Sequence, residues 1–452
     1  MTAPTRPTRA DADALVAGLR ARRRAREAGP ETTEAAAPPK PAAQAFDFGS
    51  LPAVRELDMA EAAATLMGVE SPYYRRFDGP GAPETEIEGE ARINFCSYDY
   101  LGLNRHPDVL AAAQDAVARY GVSCNASRVV GGERPPHRAL EERLAALYGV
   151  DDAVAMVSGH ATNVTTIGAL VGPEDLVVCD ELAHNSALEG ARLSGAKRLT
   201  MPHNDLDWLE QALETQRARH KRCLIVVEGL YSMDGDTPDL RRLVEIKTTF
   251  DAWLMVDEAH GLGVLGETGK GLHELQGVDG RSVEIWMGTL SKTLGASGGY
   301  IAGSAALIRF LKARAPGFVF SVGLSNPSAA AAAAALDVMA REPERVTRLR
   351  RNGLALRDAL SARGLDVGPS EGYAVSPVVL GDSPTTAAVA HRAFVKGLAA
   401  PPIMHPAVPE RRARLRFFAT SEHTQDQIAR AAGIVVEALA EAPTYTRRLF
   451  GT

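Results

Sequence analysis

Disulfides, metal-binding cysteine pairs and membrane spans all find little support in this chain. Its 452 residues include four cysteines, Cys96, Cys124, Cys179 and Cys223, and none sits in a CxxC pair. That scatter argues against a zinc site and a disulfide framework, and fits a reducing cytoplasm. No apolar run approaches the roughly 18 residues that a membrane helix needs. The first residues are polar and charged, without the apolar core of a signal peptide. An excess of either charge is lacking too. Fifty Lys and Arg against 56 Asp and Glu leave a net charge of −6, which gives no electrostatic case for nucleic acid. What is present is an ordinary globular balance, 45% hydrophobic and 23% charged, on a chain long enough for more than one domain.

Four segments are expected. Residues 1–45 read as an arm: Leu15, Val16 and Leu19 share one side of a short helix. Arg20, Arg22, Arg23, Arg24 and Arg26 follow, and then the Pro/Ala-rich "PETTEAAAPPKPAAQ". Such a segment is a solvated arm or a docking helix for a partner protein. Residues 46–105 form an N-terminal segment. Over 106–335 strands and helices alternate. The strand candidates are Ala153–Val157, Leu176–Cys179, Cys223–Val227, Trp253–Val256 and Ile285–Met287. In "HRALEERLAALYG", Leu140, Leu144 and Leu147 fall at i, i+4 and i+7, a helix stripe. Short strands apolar on both faces, with helices between, predict an α/β fold with a mostly parallel sheet covered on both sides. Residues 336–452 predict a smaller α+β domain.

Residues 256–271, "VDEAHGLGVLGETGKG", contain a complete GxGxxG string, Gly261 to Gly266. A dinucleotide loop needs its first glycine at the strand end, a helix opening in the loop, and an acidic residue about 20 positions on. Here four residues, Asp257 to His260, separate strand from glycine, and no long apolar helix follows. A P-loop fails as well, because Lys270 precedes Gly271 rather than Ser or Thr. Asp257 and His260 carry more. A strand-end Asp is ordinarily a turn former, and a lone His a satisfied core residue. They gain meaning beside "GTLSKTLGASGG", residues 288–299. There Lys292 follows another buried strand and lies among Thr289, Ser291 and Thr293. Partial burial and a nearby cation favour a neutral amine, and a neutral amine can form a Schiff base. A lysine, an aspartate and a histidine so placed suggest pyridoxal 5′-phosphate (PLP). Its aldehyde needs the lysine, its pyridinium nitrogen a carboxylate, and its ring oxygen a donor such as His260. "VSGHATN", residues 157–163, offers a strand-to-helix turn at Ser158, Gly159 and His160 for the phosphate. Thr289 or Ser291 can add a hydroxyl.

With these stretches in view, the chain resembles the α-oxoamine synthases, which have the fold type I PLP architecture: a large domain with a mostly parallel sheet between helices, and a smaller C-terminal α+β domain. The resemblance covers roughly residues 70–440. It rests on "INFCSYDYLGL", "VSGHATN", "ELAHNSALEG", "VEGLYSMDGD", "VDEAHGLGVLGETGKG", "GTLSKTLGASGG" and "RLRFFATSEHT", in family order. The wording of "SYDYLGL", "GGERPPHR", "SGHATNVTTIG" and "RLRFFATSEHT" is most similar to polyketide-synthase-associated and serine palmitoyltransferase-like members. It looks less like the biotin-pathway or haem-pathway branches.

The resemblance implies that Lys292 holds PLP, Asp257 pairs with the pyridinium nitrogen, and His260 contacts the ring oxygen. It implies His184 stacked on the ring face, and Gly159 and His160 at the phosphate. It places Tyr98, Glu228 and Ser232 on the substrate side, and Arg416 at the amino-acid carboxylate. Arg414 has the same parity on its strand and remains the alternative. Family members are homodimers, and a hydroxyl from the second copy often reaches the phosphate. Ser321 in "FSVGLSNP" matches it, whereas Val322 stands where many members have a second hydroxyl. His160 replaces the aromatic of most branches. The implied reaction is decarboxylative condensation of a small amino acid with an acyl thioester. The motif wording and the arm favour a thioester on an acyl carrier protein over coenzyme A. The rival reading is a PLP-dependent aminotransferase.

Overall fold

The structure is a computed structural model and describes residues 48–66 and 68–450. The arm expected over 1–45 lies outside the described residues. By internal contacts the chain divides into two units. The described part of the first, ending at Ala60, holds a short turn, Phe48–Ser50, and the opening of the helix Pro52–Leu66. The second runs from Glu61 and contains every element that follows.

Strands β1 (Glu84–Ile87) and β2 (Glu90–Asn94) form a hairpin. Its two-residue turn, Glu88 and Gly89, has φ of 54° and 82°, the positive values that match the twist of paired strands. The central sheet comprises β3 (Asp152–Met156), β4 (Leu176–Asp180), β5 (Lys197–Met201), β6 (Cys223–Glu228), β7 (Trp253–Asp257), β8 (Ile285–Thr289) and β9 (Gly299–Gly303). Their order is β3-β9-β8-β7-β6-β4-β5, and β9 alone runs against the rest. The carboxyl ends of all the others therefore share one edge.

Alternation along these strands divides two cores. Ala153, Ala155, Leu176, Val178, Leu254 and Val256 face one, while Val154, Met156, Val177, Cys179 and Met255 face the other. Burial on both sides explains the near-continuous apolar runs. The helix Pro135–Tyr148 buries Leu140 and Leu144 fully, with proline in its first turn and Gly149 in the left-handed conformation closing it. The alanine run lies in the helix Asn326–Arg341, which packs along Pro107–Tyr120. A second sheet pairs β10 (Val375–Gly381) with β13 (Ala413–Phe418), and β13 with the short β12 (Pro402–Ile403). Between them in sequence, β11 (Leu398–Ala399) joins β2. None of the described helices is long and apolar enough to cross a membrane.

Two strands of the central sheet escape the apolar-run criterion. β5 is a sheet edge whose sequence, KRLTM, is charged, as edge strands often are. β9, GYIAG, reads as a loop because glycine brackets it. Those glycines are steric requirements. A Cβ at Gly299 would meet the Cα of Gly159 at 2.7 Å, so glycine there lets the helix Gly159–Leu170 start against the sheet.

The GxGxxG string does not open a helix. Its first glycine abuts a buried acidic side chain. The Glu258 side chain runs inward beside Gly229, Gly261 and Gly271 and accepts from the Leu272 N–H at 2.7 Å. A Cβ on Gly261 would stand 1.8 Å from Glu258 Oε2. Gly263, at φ 79°, closes on Thr293. Gly261→Ala should therefore destabilise the protein by about 1–3 kcal/mol, the usual range for overpacking. Gly433→Ala has no neighbour within 4 Å of the new Cβ and should stabilise by about 0.5–1 kcal/mol through helix propensity. Denaturant midpoints of the two variants check the contrast, and equal shifts would contradict it.

Candidate active site

A cavity of about 400 Å³ opens at the shared carboxyl edge of the sheet. Strand ends deliver its polar groups: Ser158, Gly159 and His160 after β3, His184 after β4, Glu228 at the end of β6, and Asp257 at the end of β7 with His260 beyond. Thr289, at the end of β8, precedes Ser291 and Lys292. Tyr98, Ser232 and Arg416 complete the set named from sequence. Ser321 is the exception. In its own chain it lines a separate surface groove with Val129, Val130 and Phe320.

Asp257 is buried, and two donors fix it. The Ala259 N–H reaches Oδ1 at 2.9 Å and the Asn163 amide reaches Oδ2 at 2.8 Å. The same Asn163 nitrogen donates to Ser186 Oγ at 2.9 Å. His184 caps the helix Asn185–Ser194: its Nδ1 accepts from the Ser186 N–H and lies 2.7 Å from Ser186 Oγ. Burial holds the His184 imidazole below its ordinary pKa, so it is neutral near pH 7. His160 stands edge-on to it, with ring centroids 6.3 Å apart.

Asn163 and Ser186 are functional neighbours that the sequence reading passed over. A signal existed for the first, since Asn163 closes the quoted "VSGHATN" and lies three residues from His160, on the same helix face. Met233, Ala259 and Met287 also line the cavity.

Lys292 faces this cavity with its Nζ 5.7 Å from the Tyr98 ring centroid. Burial lowers its pKa to about 8, against the pull of Asp257 and Glu228. Glu228 lies beside Asp257 in register on the neighbouring strand. Its Oε2 accepts from the Ser232 N–H at 3.1 Å, and its Oε1 meets no hydrogen-bond donor at close range among the described residues. Burial first, and Asp257 second, push its carboxyl up to about 8. Burial likewise keeps His260 neutral, well below its ordinary value.

The two arginines of β13 separate cleanly. Arg414 is tied to the buried carboxylate of Asp234 and to the Met233 carbonyl. Its charge is spent there, outside the cavity. Arg416 has no carboxylate partner among the described residues. It donates to the Ser232 carbonyl at 3.1 Å and keeps a buried Nε with no acceptor. Among the described residues, Arg416 is the arginine of this pair that reaches the cavity without a carboxylate partner.

These groups fit PLP chemically. An amine of lowered pKa faces the cavity beside a carboxylate oriented by two donors. A helix begins at Gly159, so the N–H groups of Gly159 and His160 have no carbonyl one turn back. A Cβ at Gly159 would crowd Thr289 Oγ1 at 2.9 Å, so glycine keeps this cradle open.

Comparison with known proteins agrees. A family profile described as aminotransferase class I and II matches residues 90–435. A putative 8-amino-7-oxononanoate synthase from Gloeobacter violaceus is 42% identical over 354 residues, 78% of this chain and 90% of its own. An 8-amino-7-oxononanoate synthase from Anaeromyxobacter dehalogenans is 43% identical over 351 residues, 77% of this chain and 87% of its own. Among solved structures, serine palmitoyltransferase from Sphingomonas wittichii superposes with a TM-score of 0.83 at 29% identity, over 88% of this chain and 99% of its own. A variant of the S. paucimobilis serine palmitoyltransferase, with a bound PLP–myriocin aldimine, gives 0.83 at 27% identity over 88% and 100%.

The architecture is thus that of a fold type I PLP-dependent transferase. The chain belongs to the class I and II aminotransferase family and, within it, to the α-oxoamine synthases. It is a PLP-dependent acyltransferase whose reaction class is the decarboxylative condensation of an amino acid with an acyl thioester.

The lowered Lys292 pKa has a kinetic consequence. Only the neutral amine attacks an aldehyde, and it predominates above the lysine's own pKa. The rate at which cofactor-free protein acquires visible absorbance with PLP should rise with pH and level off above about 8. A rate still climbing through pH 10, as for an ordinary lysine, would contradict this placement.

Proposed function

We propose that this enzyme condenses a small amino acid with an acyl group presented on an acyl carrier protein, releasing carbon dioxide and an α-amino ketone. The observation that carries the chemistry is Lys292 facing the same cavity as Asp257, with a free arginine, Arg416, on its wall. The carrier preference rests on the polyketide-synthase-like wording of "SYDYLGL", "GGERPPHR" and "SGHATNVTTIG".

PLP, when bound, supplies an aldehyde carbon and a ring that takes up the electron pair left at the amino acid's Cα. The chain's own groups do the rest. Lys292 anchors the cofactor, and its neutral amine accepts the Cα proton and later returns one to Cα. Asp257, fixed by Asn163 and Ala259, keeps a proton at the ring nitrogen. His184 would cover one ring face, and His260 would donate to the ring oxygen. Ser158 caps the helix at whose N-terminus Gly159 and His160 hold the phosphate, with Thr289 and Ser291 adding hydroxyls. Arg416 binds the amino-acid carboxylate, while Tyr98, Glu228 and Ser232 shape the substrate side. A bond forms between Cα and the acyl carbon as the thiol departs. The bond from Cα to the carboxylate then breaks as carbon dioxide leaves. The assembly is a homodimer in which Ser321 from a second copy completes the phosphate site.

The test is product analysis by mass spectrometry with purified protein, an amino-acid mixture, and matched acyl-carrier-protein and acyl-coenzyme A donors. An α-amino ketone formed from the carrier donor is the expected product. Turnover with acyl-coenzyme A and none with any carrier would overturn the carrier preference. Amino-group exchange without carbon dioxide release would make the protein an aminotransferase. Lys292→Ala should lose both turnover and the visible absorbance of lysine-bound cofactor.

Arg416→Ala should raise KM for the amino acid by about 10–100-fold, the range for a lost charged hydrogen bond. It should leave cofactor absorbance unchanged. An unaltered KM would remove Arg416 from the carboxylate site.

A further inference from the structure

His260 does not stand alone in the cavity wall. The hydroxyl of Tyr100 lies 2.7 Å from its Nδ1. Tyr100 is fully buried, and no other hydrogen-bond partner of its hydroxyl exists among the described residues. Neither residue's contact depends on a flexible side-chain tip. Tyr100 sits in the turn after Tyr98, and its backbone carbonyl accepts from the Ser421 N–H at 2.7 Å. The His260 ring is flanked by Phe418, nearly parallel at 6.2 Å between centroids, and by the edge of Tyr98 at 5.9 Å.

The direction of this bond follows from satisfaction. If Nδ1 carried the proton and donated, the Tyr100 hydroxyl hydrogen would have no acceptor in a buried site. That leaves a donor stranded at its full desolvation cost. If the hydroxyl donates, only a spare lone pair is left over, and Nδ1 must be unprotonated. A neutral imidazole then carries its one hydrogen on Nε2. The imidazole is neutral here: burial, Lys292, Arg416 and His184 all oppose a charge on it.

We propose that Tyr100 is a positioning residue for the reaction, which fixes His260 as the tautomer whose Nε2–H donates into the cofactor cavity. The proposal rests on the reading of His260 as the donor to the cofactor's ring oxygen. Without Tyr100 the ring can carry its hydrogen on either nitrogen, and the tautomer with a bare Nε2 turns a lone pair on an oxygen that bears negative charge. The hydroxyl thus selects between a donor and a repulsive acceptor without touching cofactor or substrate.

The readout is the pH midpoint of the visible absorbance change of the holoenzyme. A donor to the ring oxygen stabilises its anionic form and lowers that midpoint. Tyr100→Phe should raise it by about half to one pH unit, the size of one hydrogen bond. His260→Asn should raise it as well. The double variant should show no more than the larger single shift, because the two act through one bond. If His260→Asn moves the midpoint and Tyr100→Phe does not, the role of Tyr100 is overturned while that of His260 stands. Additive shifts would also overturn it. If neither variant moves the midpoint, the His260 reading itself fails and Tyr100 falls with it. Should Tyr100→Phe not fold, histidine-selective ¹⁵N NMR of the unaltered holoenzyme decides. A protonated Nε2 with a bare Nδ1 on His260 supports the proposal, and the reverse overturns it.

Discussion

Asn163 spends both hydrogens of one amide on the active site, and the arrangement of the cavity depends on that. One goes to Asp257 and the other to Ser186, which adjoins His184 Nδ1. A bond from a neutral amide to a buried carboxylate contributes about 1.5–3 kcal/mol, and leaving either group unpaired costs about as much. The helix that carries Asn163 also begins at Gly159, where its free N–H groups face the cavity. One rigid element therefore sets the spacing between the helix N-terminus at Gly159, the strand-end carboxylate of Asp257 and the His184 imidazole. The helix can lie this close only because Gly299 presents no Cβ to Gly159. Precision here comes from a helix seated on a sheet, not from loop side chains finding one another.

The substrate side is organised by a different tie. Arg414 is neutralised by Asp234, and that ion pair draws the segment around Ser232 onto β13. Arg416, two residues on and facing the same way, then finds a carbonyl and a sulfur within reach but no carboxylate among the described residues. Of two like residues, one is consumed in building the wall and the other lines the cavity, where the proposed function gives it a ligand's carboxylate.

Much of this was legible beforehand, and what was not has identifiable causes. β3, β4, β6, β7 and β8 announce themselves as apolar runs; Glu228 and Asp257 end two of them, and Lys292 follows a third. β9 and β5 were hidden, the first by glycines that serve close packing and the second by charges suited to an edge. Parity along β13 could not divide Arg414 from Arg416, because the divider, Asp234, lies far away in sequence. Asn163 stood inside a quoted stretch, yet its partner Asp257 belongs to another strand. The glycine string was the opposite case. It is complete as a motif, but its glycines clear space for neighbouring side chains: Gly261 for the buried Glu258, Gly263 for Thr293 and Gly266 for Glu274. Two residues of the same segment, Asp257 and His260, face the cavity, while Glu258 between them faces the core.

The placement of Lys292 has a further meaning. It lies in the connection between β8 and β9, and β9 is the strand that fits between β8 and β3, from distant parts of the sequence. Pairings of such long range form only when the chain between them has been ordered. The lysine is thus held by the piece that closes the sheet. If Lys292 anchors the cofactor as proposed, a molecule able to take it up is one whose sheet is already complete, and bound cofactor would count the folded molecules.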